Sequence, residues 1–365
     1  MSPRLPTPRG PLSRALVAHL AEGSPLVARI PDGIDVLTDD DLQLALWCCY
    51  ELHYQGFEGV ADDAEWDLQT LGFRADLEEA FERALRDEHN ASLPEDPCVA
   101  LRVIATWAGP PLARTVEERG TLADLREFAI HRSSYQLKEA DPHTWAIPRL
   151  RGAGRSAMIE IQADEYGDGK PGEAHAEIFA AAMRELGLDS EFGRYVDRLP
   201  GATLATDNLV SMFGLNRRLR GALIGHLALF EMCSVVPMGR YHAAARRVGG
   251  LPALERFYEV HVEADVHHAR LALEQMVAPF SADEPELRED MIFGAAALSR
   301  VEARMARHVL RAWEDGLSSL LPEPAHRYIE HGPRDAAVDG SRTPITVVDV
   351  AAFPAYVVED LAASN

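Results

Sequence analysis

Cysteine is scarce in this chain of 365 residues: Cys48, Cys49, Cys98 and Cys233 are all it has, and none forms a C-x-x-C pair. That argues against a zinc knuckle or a thioredoxin-like redox motif. Cys48 and Cys49 are neighbours in a helical pattern, a poor geometry for a mutual bridge, so a reduced, cytoplasmic setting is the expectation. Basic residues are also few, with 36 Lys and Arg against 58 Asp and Glu and a formal net charge of −22. Nucleic acid and anionic membrane surfaces need clustered cations, so neither is an expected partner. The acidity reads as a solvated surface. No run of about 18 apolar residues is free of charge, so no membrane-spanning helix is expected. The nearest approach, GALIGHLALFEMCSVVP, carries His226 and Glu231. The start, MSPRLPTPRGPLS, lacks the apolar stretch of a secretory signal. Glu-x-x-His occurs only once, at Glu323–His326, and the pair of such motifs that a ferritin-like carboxylate bundle needs is missing.

What is present is helical. An apolar content of 47% fits a globular chain large enough for one big core or two domains. Residues 38–56 open on Thr38 as an N-cap with acids in the first turn, and stop at Gly56. Residues 63–89 place Leu77, Phe81 and Leu85 at i+4 spacing. Further helices are predicted over 99–107, 122–140, 154–166, 203–213, 216–234, 241–247, 251–278 and 285–317. The string GDGKPGE at 167–173 breaks the chain, and a new helix follows with Pro171 near its first turn. The pattern is an all-α bundle. The tail from 322 differs, and its TPITVVDV run has the β-branched character of a strand.

The chemistry concentrates in HVEADVHH. At 100° per residue His261, Asp265 and His268 point to about 0°, 40° and −20°, one stripe of a single helix. His267 points about 120° away. Two imidazoles and a carboxylate on one stripe form a set that binds a divalent metal. Three more residues are candidates to join it. Glu165 ends the helix before the glycine-rich break and His175 opens the one after it. Glu231 sits among apolar residues, where a carboxylate is costly unless paired, protonated or bound to metal. Three carboxylates leave −1 against one divalent ion and +1 against two, and the latter a bound oxygen species or carboxylate substrate neutralises. Mixed imidazole and carboxylate ligands suit iron or manganese. Glu231, standing between the other groups in the chain, is the expected bridge.

The series Glu165, His175, Glu231, His261, Asp265, His268 has gaps of 10, 56, 30, 4 and 3. That series, with the strings QLKEADPHTWAIPRL, EIQADEYGDGKPGEAHAEIF and GHLALFEMCS, resembles the heme-oxygenase-like diiron oxidases and oxygenases, also called iron-containing redox enzymes. The spacing is closest to their N-oxygenating branch, and the resemblance covers roughly 122–317. It implies a seven-helix heme-oxygenase-like core that binds no heme, holds two irons at those six residues, activates O₂ and oxidises a small organic substrate. Members of such families desaturate or fragment fatty acids and amino acids, or oxidise amine nitrogens. A mobile ligand-bearing helix around 261–268, an external electron donor and a homodimer are family-level expectations. The alternative is a non-catalytic or cofactor-free heme-oxygenase-like protein that binds a small molecule.

The expected organisation is an N-terminal helical extension (1–121) packed on the core as one compact unit, the core itself (122–320) and an irregular tail (321–365). His53 and His226 read as core histidines, with His226 also a candidate to support Glu231. Tyr166 and Tyr258 read as packing residues next to the ligand segments, and Lys138 and His143 as candidate substrate contacts.

Overall fold

A computed structural model describes residues 2–88 and 92–323. The all-α expectation holds: the described residues contain no strand. TPITVVDV lies outside them.

Five helices precede residue 121: α1 (Pro11–Glu22), α2 (Asp40–Glu51), α3 (Leu68–Asp87), α4 (Pro97–Ile104) and α5 (Leu112–Arg119). Next come α6 (Leu122–Gln136), the single turn α7 (Asp141–Thr144), α8 (Gly152–Glu165), α9 (His175–Glu185) and α10 (Gly201–Leu215). The last four are α11 (Arg220–Val248), α12 (Pro252–Leu271), α13 (Ala278–Asp283) and α14 (Arg288–Glu314). Local chemistry sets several starts. Asp39 caps α2 through the amides of Asp41 and Leu42, one residue later than the Thr38 expectation. Thr121 and Asp124 form a reciprocal capping box on α6.

The structure departs from the sequence pattern in three places. The helices expected at 216–234 and 241–247 are one, α11, which runs 29 residues straight through Pro237. Proline removes one intrahelical hydrogen bond, but burial along the rest of the helix outweighs that loss. The helix expected to run to 278 passes from α12 into a π-helical segment, Ala272–Val277, before α13. Such wide turns recur next to functional sites. Pro171 falls in the turn before α9, which begins only at His175.

α11 is the central strut. It is long and apolar enough to cross a membrane by length and composition, yet 72% of its most apolar window is buried inside the protein, as befits a core helix. It crosses α14 at backbone contact. A Cβ on Gly225 would overlap the Met291 carbonyl, and one on Gly294 would overlap that of Ala222. Two apolar clusters surround this strut. The larger joins α1–α4 to α10, the first half of α11 and the start of α14. The smaller joins α5, α6, α9, the end of α11, the start of α12 and the end of α14. On α12, Leu254, Phe257 and Tyr258 belong to the smaller cluster and Ala269 and Leu271 to the larger. His261, Asp265 and His268 fall between them.

Candidate metal centre

All six expected donors are buried, none more than 9% exposed. Glu165 is the last residue of α8 and His175 the first of α9. The chain between them doubles back through Gly167, Asp168, Gly169 and Gly172, all at positive φ. At Gly167 a Cβ would meet the backbone of Glu173 and Ala174, so only glycine closes the loop. The closure brings His175 Nδ1 to 2.8 Å from Glu165 Oε2.

The donors form two groups. One joins Glu165 and His175 to His261 and to Glu139, and the other joins Glu165 to Asp265 and His268. Glu231 Oε2 lies 3.5 Å from His268 Nδ1, beside the second group. The shared carboxylate is Glu165 rather than Glu231. Order along the chain does not decide who stands in the middle once the helices are packed.

Glu139 is a further candidate donor that the sequence pattern does not single out, although Lys138 and His143 of the same string are candidates there. It is 5% exposed, and its Oε2 lies 3.4 Å from His261 Nε2. A single acid at a helix exit has no periodic signal; only its place in a string shared with the family pointed to it. Lys138, one of two lysines in the chain, turns the other way. Its ammonium sits 3.1 Å from Glu51 of α2 and 4.4 Å from the centre of the Tyr54 ring. His143 pairs with His226 at 3.3 Å, both imidazoles buried. Tyr166 hydrogen-bonds Asp141 at the surface, and His267 is exposed beside Glu160.

Three buried donor atoms have no hydrogen-bond partner: Glu165 Oε2, His175 Nδ1 and His268 Nδ1. Glu165 and His175 are close enough to bond each other, yet the ring N–H direction is out of line. Buried polar atoms left unpaired are costly, and atoms that crowd together without bonding are arranged for a shared third party. A divalent cation meets that need, so the donor set fits a metal. Neighbouring groups orient the rings. His261 Nδ1 donates to the Phe257 carbonyl at 2.7 Å, which leaves Nε2 with its lone pair toward the cluster. Asp164 lies 3.2 Å from His268 Nε2 on the side away from Glu231. The Gln136 amide, in the orientation that satisfies it, donates to both oxygens of Glu139 at 2.7 and 2.6 Å.

The electrostatics match. Burial alone would keep His261 and His268 neutral, but Glu139 beside the first, and Asp164 and Glu231 beside the second, push both up to about 10. Burial raises Asp265 well above the usual carboxylate range, helped by the charge on Glu231, and raises Glu231 too. Burial would also raise Glu165, but the positive charge of His175 beside it holds it low. Without a metal, protons occupy the cluster; a metal would displace them.

A cavity of about 240 Å³ adjoins the cluster. Its wall includes Gln136, which holds Glu139, Phe257, whose carbonyl orients His261, and Phe230, next to Glu231. Tyr258 lines it as well.

A buried set of imidazoles and carboxylates inside an all-helical bundle, with no thiolate in either group, could hold metal ions and suits iron or manganese. The comparison with known proteins agrees. Residues 126–303, just under half of the chain, match the family of iron-containing redox enzymes. A nitrosourea synthase from Streptomyces achromogenes subsp. streptozoticus is 27% identical over 211 residues, 55% of this chain. The match spans 44% of that relative's length.

Proposed function

We propose that the protein is an O₂-using non-heme diiron oxidase or oxygenase that acts on a small organic substrate. The observation that carries this reading is the charge and grouping of the donors. Glu139, Glu165, Glu231 and Asp265 supply −4 when ionised, which two ferrous ions neutralise in full. One ion would leave −2 in a desolvated interior, a costly remainder. Two overlapping groups that share Glu165 give each ion its own set.

On this reading, Glu139, His175 and His261 would hold one iron, Asp265 and His268 with Glu231 would hold the other, and Glu165 would serve both. The irons would supply the electrons and the binding site for O₂. The protein's own residues do the rest. Phe257 and Asp164 keep the two α12 imidazoles oriented. Gln136 keeps Glu139 aimed inward by donating to both its oxygens. The aromatic wall of the cavity keeps water from the cluster and presents the substrate to it. The nitrosourea synthase likeness favours nitrogen oxidation of an amine or amino acid, with C–H or C–C cleavage as the other outcome in scope. A small-molecule substrate and an external electron donor complete the proposal. Residues 1–121 would act as a helical extension of one unit, with α2 bracing Lys138 behind Glu139.

Anaerobic loading with Fe(II), followed by metal analysis and oxygen uptake, tests it. Two irons per chain and oxygen consumption are expected, and His268→Ala should drop the content to one iron and stop the uptake. A His268→Ala protein with two irons and full oxygen uptake would refute the ligand set.

A further inference from the structure

The string HVEADVHH holds three histidines, and the buried cluster takes only two of them. The third, His267, is 64% exposed, and its Nε2 lies 3.1 Å from Oε1 of Glu160, itself 59% exposed. One turn further along α8, Asp164 is 46% exposed, and its Oδ2 lies 3.2 Å from Nε2 of His268, which is only 3% exposed. Glu160 and Asp164 share one face of α8, and the His267 and His268 rings stand across from them with centres 6.2 Å apart. The four side chains form a graded line from open solvent to the cluster. On its inner side His268 presents Nδ1, a buried atom without a hydrogen-bond partner, 3.5 Å from Glu231 and 3.9 Å from both Glu165 and Asp265.

The cluster needs a way in, because its donors are buried and none of them lines the neighbouring cavity. The outer groups have the same donor chemistry as the cluster, imidazole and carboxylate, which suits the same ions. As surface ion pairs they add little to stability. The nearby cations of α12 are already paired, Arg256 with Glu173 at 2.6 Å and Arg270 with Glu274 at 3.0 Å. Glu263, exposed and one turn before His267, adds negative charge to the same face. The outer donors do not converge on one point. Their spread suits an ion in transit, held by two or three groups at a time, rather than one that stays.

We propose that Glu160, His267 and Asp164 form an entry port through which a divalent metal ion reaches the buried cluster, with the His268 ring as the gate. The inference rests on the metal-centre reading and adds how that centre fills. An ion held by Glu160 and His267 next engages Asp164, whose carboxylate then releases His268 Nε2. The freed ring turns and passes the ion to Glu231 and Asp265, and the protons held by the cluster leave to solvent as the ion enters. Glu160 and His267 stand outside the donor set, so their loss changes the speed of filling and not the number of ions held.

The test is stopped-flow mixing of the metal-free protein with Co(II), whose visible absorption reports ions entering an imidazole and carboxylate cluster, followed by metal analysis at equilibrium. The double variant Glu160→Gln, His267→Gln should fill about tenfold more slowly than the wild type and reach the same final content. Both positions are exposed, so the substitutions leave the core intact. Glu118→Gln on α5 removes a carboxylate that is 50% exposed. It should fill at the wild-type rate, because one charge out of a net −22 hardly changes the overall field. A double variant that fills as fast as the wild type, or an equal slowing in Glu118→Gln, would overturn the port and leave the metal centre standing. A double variant that holds fewer ions at equilibrium would also overturn it, by making the outer residues ligands. Wild-type protein that takes up no Co(II) would overturn the metal centre, and the port with it.

Discussion

Replacing Glu51 by Gln should destabilise the whole protein, although Glu51 lies on α2 and touches no metal donor. Glu51 is fully buried and Lys138 only 4% exposed, and their charged atoms are 3.1 Å apart. Burial pushes the Glu51 carboxyl up, and the Lys138 ammonium pulls it back. The rings of Tyr54, Phe192 and Trp47, at 4.4, 5.1 and 5.8 Å, add cation–π attraction, and the buried Asp207 carboxyl also feels the ammonium's charge. Removing one partner of a buried pair strands the other, at a cost of about 3–5 kcal/mol. With an unfolding entropy of roughly 2 cal/mol/K per residue, a loss of about 4 kcal/mol lowers the melting temperature of a chain this size by about 5–6 °C. Lys138→Met should recover much of that loss when combined with Glu51→Gln, because a pair replaced by neutral groups strands no charge. The assay is thermal unfolding of the two single variants and the double variant, read as a double-mutant cycle. A Glu51→Gln protein as stable as the wild type, or a double variant as unstable as the sum of the singles, would refute the buried-pair reasoning.

Glu139→Ala should lower bound iron toward one per chain while leaving the helical content unchanged, as metal analysis with far-ultraviolet circular dichroism would show; full iron content would remove Glu139 from the donor set. Iron-free protein should lose stability as pH rises above about 6.5. The raised His261 and His268 contribute most below that unfolded-state value, and the contribution is gone once pH passes their folded-state value of about 10. Iron-loaded protein, whose ligands are already deprotonated, should not show this slope, and a pH series of melting curves checks both forms. Gly225→Ala should cost about 1–3 kcal/mol or more through overpacking against the Met291 carbonyl, measured by denaturant unfolding.

Much of the candidate site is legible in the sequence. The stripe of His261, Asp265 and His268 follows from helix pitch alone, because three residues on one helix have fixed mutual angles. The helical fold class and the break at 167–173 follow from the same local physics, and the resemblance drew Glu165, His175 and Glu231 into one set. Those properties depend on residues near one another in the chain, and so they are the part the sequence determined. The rest depended on how helices cross. Only tertiary packing decided that Glu165 stands in the shared position, that Glu139 joins it, and that Lys138 turns away to Glu51. It also decided that α11 continues through Pro237, and that Arg132 meets Glu302 across a cavity. The crossing of α11 and α14 is set by Gly225 and Gly294, more than sixty residues apart. No periodicity encodes which distant side chains that approach brings within reach of each other.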